Sequence, residues 1–273
     1  MTMTRTLGVP GAHLSYEVRG AGPVLLLLGS PMGIAAFAPL ADALVGDYTV
    51  VTHDPRGIAG SALDDPEQDS TPELRADDVA ALLDVVGTDT ADVFGSSGGA
   101  VTGLALVERH PERVRTLVAH EPPLLELLPD AADRRAMVDD IVETFHREGA
   151  EAAWWKFMAG SGLAGDGDGD APVAAPDEPS PMDLVDSARF FAHELRHTTR
   201  YVPGTRALAS GPARVVVGIG ADSGALETYR TSMALCELLG SLPVEFPGEH
   251  VGFLERPEEF ADVLRKVLSS PVA

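Results

Sequence analysis

The stretch Thr90-Ala-Asp-Val-Phe-Gly-Ser-Ser-Gly-Gly-Ala-Val-Thr-Gly-Leu-Ala-Leu constrains this chain more than any other, because a G-x-S-x-G pentad, Gly95 to Gly99, stands between a short apolar run and a helical pattern. A sharp strand-to-helix turn at such a pentad pushes its central side chain out of a sheet, where a base can reach it. The register singles out Ser97 as the candidate nucleophile. Ser96 fails the same test, since Phe94 would then occupy the position two before the nucleophile and crowd the turn.

The pattern around the pentad is that of a parallel sheet. Pro23-Val-Leu-Leu-Leu-Leu and Tyr48-Thr-Val-Val-Thr are short and almost continuously apolar, as strands buried on both faces are. His13 to Arg19 alternates like a half-exposed strand, and Ala91 to Phe94, Val114 to Ala119, Arg214 to Ile219 and Pro243 to Phe246 supply further strands. Helical spacing fills the gaps at Ile34 to Val45, Pro72 to Val86, Ala100 to Arg109, Leu226 to Leu239 and Pro257 to Leu268. Ser70 or Thr71 is placed to cap the second of these, with Gly87 just past its end. Strands alternating with helices imply parallel strands joined by crossovers.

Between His120 and Ala213 the alternation stops. Helical segments are expected near Ala131 to Glu148, Glu151 to Met158 and Met182 to Thr198, with no convincing strand, so residues 122–211 read as a helical cap inserted into a core made of 1–121 and 212–273. Gly160 to Pro181, rich in Gly, Asp and Pro, reads as a mobile loop within it. Asp166, Asp168 and Asp170 mimic the start of a calcium loop, but Ala171 occupies the position that requires Gly, so a solvated acidic loop is expected instead.

Composition narrows the partners. Twenty basic against 42 acidic side chains leave a formal charge of −22, which opposes binding to nucleic acid or to an anionic membrane and points to a small-molecule substrate. The longest apolar run, Val24 to Leu28, is too short to span a bilayer, and the N-terminus lacks an apolar core of the signal-peptide kind, so a cytoplasmic location is expected. The single Cys236 has helical apolar neighbours and reads as a buried core residue.

A parallel sheet gathers its ligand site at the carboxyl ends of its strands. Among the eight histidines, His250 in Pro247-Gly-Glu-His lies in the loop after the last strand, and it is the best candidate for the general base. The imidazole needs an acid to orient it. Asp222, after the strand ending at Gly220, is the preferred candidate and gives the chain order Ser, Asp, His; Glu121, which leaves the end of another strand, is the alternative. For the oxyanion formed on attack, the Gly98 N–H belongs to the turn and the Ser30 N–H in Gly29-Ser-Pro-Met-Gly is the natural second donor.

With the pentad, Gly29-Ser-Pro, Asp54-Pro-Arg-Gly and His250 in Gly248-Glu-His, the chain resembles the α/β-hydrolase fold superfamily of capped esterases, lactonases, C-C hydrolases and haloperoxidases over nearly its whole length. It departs at Leu28, where the family usually carries His, and in Asp54-Pro-Arg-Gly-Ile-Ala-Gly-Ser61. The resemblance implies an α/β fold with a mostly parallel eight-stranded sheet. It also implies a serine hydrolase that acts on an ester, thioester or lactone through an acyl-enzyme, with no cofactor and no metal; the negative charge and a cap carrying Trp154, Trp155, Phe157, Met158, Phe190 and Phe191 favour a neutral, moderately apolar substrate. A non-hydrolytic enzyme of the same fold, such as a cofactor-free oxygenase or perhydrolase, and a non-catalytic receptor are the alternatives.

A rival motif remains in His193-Glu-Leu-Arg-His197, a complete H-E-x-x-H that on a helix would put two imidazoles on one face for zinc, with Glu194 as base. Arg200 stands where the extended form of the motif needs Gly, and the zinc peptidase is accordingly the remote alternative.

Overall fold

The apolar runs find each other as their composition dictates. In the computed structural model, which describes residues 3–163 and 181–270, the first two strands, β1 (Arg5–Val9) and β2 (Ala12–Gly20), form an antiparallel pair. They lead into β3 (Val24–Leu28), α1 (Ile34–Leu44), β4 (Thr49–His53) and the two-residue β5 (Ala62–Leu63). Next come α2 (Pro72–Val86), β6 (Ala91–Ser96), α3 (Gly98–Arg109) and β7 (Val114–His120). Among the described residues, α4 (Ala131–Glu148), α5 (Ala150–Ser161), α6 (Pro181–His193), α7 (Leu195–Thr199) and α8 (Thr205–Ser210) follow before the sheet resumes. The chain ends with β8 (Arg214–Gly220), α9 (Glu227–Leu239), β9 (Val244–Phe246), α10 (Gly252–Glu255) and α11 (Pro257–Ser269).

The sheet runs in the order β1-β2-β4-β3-β6-β7-β8-β9, parallel from β4 to β9, with β5 paired to β2 off this path. It therefore has nine strands rather than the eight expected, because the short Ala62–Leu63 piece pairs with Ala12 and His13. Strands β1 and β5 and helices α8 and α10 escape a reading based on periodicity, being short or polar. Helix α2 is capped as expected: Thr71 accepts the Leu74 N–H through Oγ1, Pro72 opens the helix, and Gly87 closes it at φ 82°.

The sheet has a core on each face. On one side α1, α10 and α11 bury Phe37, Leu40, Phe253, Phe260 and Leu264 against Leu25, Leu27, Phe94 and Phe246. Phe94 lies at the centre of this layer, within 6.4 Å of the rings of Phe37, Phe246, Phe253 and Phe260. On the other side α2, α3 and α9 bury Val79, Leu83, Leu104 and Leu235 on Leu26, Val93 and Leu117, and Cys236 lies buried among them. Helices α4 to α7 carry a further core of their own, where Trp154 stacks on Phe190 and meets Phe157 and Phe191 edge-on. Four of the six aromatic and Met side chains at 154, 155, 157, 158, 190 and 191 are thus spent on packing, while Trp155 is 64% exposed. The stretch 164–180, with Asp166, Asp168 and Asp170, lies outside the described residues.

Two core histidines give the fold a pH dependence. His53 ends β4 and His120 ends β7, both buried, and burial pushes each down to about 4 from the ordinary 6.5. Between those values the unfolded chain binds protons that the native one refuses, so stability falls as pH falls. Each histidine contributes a slope of up to about 1.4 kcal/mol per pH unit in this window. Urea unfolding from pH 7 to pH 4.5 is expected to show this decline, and His53→Asn to flatten the slope by about one proton.

Candidate active site

The turn at Ser97 follows from its neighbours. Ser97 has φ 56° and ψ −126°, a left-handed conformation that a non-glycine residue holds only when the surroundings impose it. A Cβ at Gly95 would lie 2.5 Å from the Gly99 carbonyl oxygen, and one at Gly99 would overlap the Leu28 carbonyl, so glycine is required at both flanks. The Ser97 N–H donates to His120 O at 2.9 Å, which fixes the turn to the end of β7. The side chain of Ser97 is half-buried, whereas Ser96 is fully buried with its Oγ 3.3 Å from His120 Nδ1.

His250 sits in the loop between β9 and α10, 6% exposed, and its Nδ1 is 2.6 Å from Glu121 Oε2. The structure pairs His250 with Glu121 and not with Asp222, the preferred candidate of the sequence. The reason lies in the two loops. Glu121 leaves β7 at φ 49° and is wholly buried, and its Oε1 accepts the Gly220 N–H at 2.8 Å while Thr228 Oγ1 donates to Oε2 at 3.0 Å. The loop after β8 therefore supports the Glu121 carboxylate instead of supplying an acid. Asp222 is exposed, and its hydrogen bond is made by its backbone N–H to Gly248 O at 3.1 Å. Burial would raise the Glu121 carboxyl, but the hydrogen bond with His250 and the neighbouring imidazole charge outweigh it and hold the carboxyl down at about 2. Gly220 and Thr228, which complete its shell, carry no signal in the sequence.

Ser30 and Gly98 come together beside the turn. A Cβ on Gly98 would be 2.7 Å from the Ser30 carbonyl oxygen, so the two backbones approach as closely as a missing side chain allows. Gly98 opens α3, where backbone N–H groups have no acceptor within the helix. Asp54, from Asp54-Pro-Arg-Gly, accepts the N–H of Ile34 at 2.8 Å and of Gly60 at 3.1 Å, and so ties the start of α1 to the loop after β4. Arg56 is buried in a fork on Asp78, at 2.7 and 2.6 Å.

Glu194 does not join the two imidazoles of H-E-x-x-H. The expected helix Met182 to Thr198 breaks at Glu194, between α6 and α7. His193 Nδ1 and His197 Nε2 both face Asp69, at 3.0 and 3.2 Å, while Glu194 turns inward and is 1% exposed. Among the described residues no group of three His, Cys, Asp or Glu side chains is placed to hold a metal ion, and no helix is long and apolar enough to cross a membrane.

This geometry agrees with what the chain is similar to. The profile of the alpha/beta hydrolase fold matches residues 22–162. The uncharacterized hydrolase YraK of Bacillus subtilis is 36% identical over 270 residues, covering 96% of this chain and 95% of that protein. A zearalenone hydrolase of Cladophialophora bantiana is 35% identical over 117 residues, 41% of this chain and 44% of that one. Among solved structures, a hydrolase from Pseudomonas aeruginosa shares the fold with a TM-score of 0.72 at 22% identity, over 98% of both chains. With a buried His250 and Glu121 beside the glycine-flanked turn at Ser97, and a relative matched from end to end, the chain belongs to the alpha/beta hydrolase fold family and is a hydrolase of that fold.

Proposed function

We propose that the protein is a serine hydrolase that cleaves a neutral, moderately apolar ester, thioester or lactone through an acyl-enzyme on Ser97, with His250 as base and Glu121 as the acid that orients it. The observation that carries this reading is the 2.6 Å contact between His250 Nδ1 and Glu121 Oε2, two side chains 129 positions apart in the chain. A carboxylate on Nδ1 holds the imidazole in the tautomer that leaves Nε2 to take a proton, and it stabilises the imidazolium that results.

The steps of the proposed reaction are these. Ser97 Oγ attacks the carbonyl carbon and gives its proton to His250 Nε2, and the carbonyl oxygen gains the negative charge. The N–H groups of Ser30 and Gly98 receive that charge. His250 then returns the proton to the leaving oxygen or sulfur as the acyl bond breaks. Water repeats the sequence on the acyl-enzyme, losing its proton to His250 and releasing the carboxylic acid and free Ser97. Helices α4 to α7, with their aromatic core, are proposed to act as a cap, and the charge of −22 disfavours anionic substrates.

A fluorophosphonate probe is expected to label Ser97 and not Ser96, and Ser97→Ala to abolish both labelling and the burst with a chromogenic short-chain ester. Folded protein that stays unlabelled overturns the reading. Product analysis across neutral esters and lactones beside carboxylated analogues should show acid release with a preference for the neutral members.

Exchange of the acids gives the second measurement. Glu121→Gln is expected to lower kcat by about 10³- to 10⁴-fold, as loss of the orienting acid does elsewhere. Asp222→Asn, at an exposed side chain, should leave kcat within about twofold of wild type, in line with surface substitutions generally. The reverse ranking would return the role to Asp222.

A further inference from the structure

Glu194 is the one member of H-E-x-x-H that goes into the interior, and its surroundings are unusual for a residue that only packs. It stands at the break between α6 and α7, where φ −127° and ψ −47° leave the helix, and its Oε1 accepts a hydrogen bond from Ser30 Oγ. The same oxygen is 3.9 Å from an Arg75 nitrogen, with both side chains buried. Arg75, from α2, spends its remaining donors on neutral groups: Nε on Thr102 Oγ1 at 2.9 Å, one terminal nitrogen on Ser70 O at 2.8 Å, and the other on Thr198 Oγ1 at 2.9 Å. Thr102 Oγ1 in turn donates to the Gly98 carbonyl at 3.1 Å. One buried ion pair therefore reaches both oxyanion donors, Ser30 through Glu194 and Gly98 through Arg75 and Thr102.

Stability alone does not account for it. The second oxygen of Glu194, Oε2, is buried without a partner, which costs free energy that an apolar side chain of similar volume would not. A carboxylate kept at that cost holds the Ser30 hydroxyl by a charge-assisted hydrogen bond, stronger and shorter than a neutral one. Oxyanion donors act only when aimed at the position where the charge develops, within about 2.7–3.1 Å, and small misplacements forfeit much of their effect.

We propose that Glu194 and Arg75 are positioning residues that set the Ser30 and Gly98 N–H groups for the oxyanion, so that the α6–α7 break in the helical insertion is part of the catalytic apparatus. The inference rests on the serine hydrolase reading above. Steady-state kinetics with a chromogenic ester on wild type, Glu194→Gln, Ser30→Ala and the double variant tests it. Each single change is expected to lower kcat by about 10- to 100-fold with KM within threefold, less than outright loss of an oxyanion donor. The double variant should be no slower than the slower single one, because both remove one contact. Affinity for a boronic acid transition-state analogue should fall in parallel with kcat.

Unchanged kcat, a matching rise in KM, or losses that multiply in the double variant would overturn the inference while leaving Ser97 labelled. Absence of Ser97 labelling in wild type would instead overturn the parent reading. Should Glu194→Gln fail to fold, Ser30→Ala and Thr102→Ala carry the same test from the core side, and wild-type kcat in both decides against the proposal.

Discussion

The turn at Ser97 is the constraint around which the rest is arranged. A serine at φ 56° between β6 and α3 is strained, and it persists because Gly95 and Gly99 let β6, α3 and the Leu28 carbonyl close on it from three sides. The central strands must therefore be apolar on both faces, since each packs a helical layer on either side and leaves no face for polar residues. Phe94, one residue before the pentad, shows the coupling: the residue that anchors the aromatic layer beneath the sheet is also the one that fixes the register of the turn.

Several buried charges in this protein are shared between elements. Glu121 gathers His250, Gly220 and Thr228; Arg56 takes both oxygens of Asp78; Arg75 on α2 pairs with Glu194 at the break between α6 and α7. Isolated, any of these groups would oppose folding, and a partner from a different element makes each a point of assembly. Residues 122–211 meet the rest of the chain through hydrogen bonds as well as through apolar packing of Leu124, Tyr201 and Leu208. The Ser70 N–H donates to His193 O at 2.9 Å, Arg189 reaches Pro66 O at 2.9 Å, and Tyr201 Oη donates to Glu108 at 2.8 Å, whereas the aromatic residues of the insertion pack chiefly on one another.

What could be read from the residues themselves were the features with a local cause. Apolar runs of five residues marked the buried strands, helical spacing marked the flanking helices to within one or two residues, and Thr71-Pro72 and Gly87 bounded α2 because capping is a matter of adjacent atoms. The pentad, too, is local, since a turn that excludes side chains at two positions writes glycine there. Periodicity was silent on β5, two residues long, and on α8 and α10, each less than two turns.

What tertiary structure alone decided was the choice among chemically equal candidates. Asp222 and Glu121 both follow strands, and both could face His250; the left-handed backbone at Glu121 and the Gly220 N–H that meets its carboxylate turned one inward, while Asp222 was left in solvent. His193, Glu194 and His197 carry the spacing of a helical metal motif, yet a break at Glu194 sent the carboxylate to Ser30 and both imidazoles to Asp69. In each case the sequence determined which groups were available, and the packing of distant segments determined where they point, because a side chain's direction depends on backbone angles and partners set by residues far away in the chain.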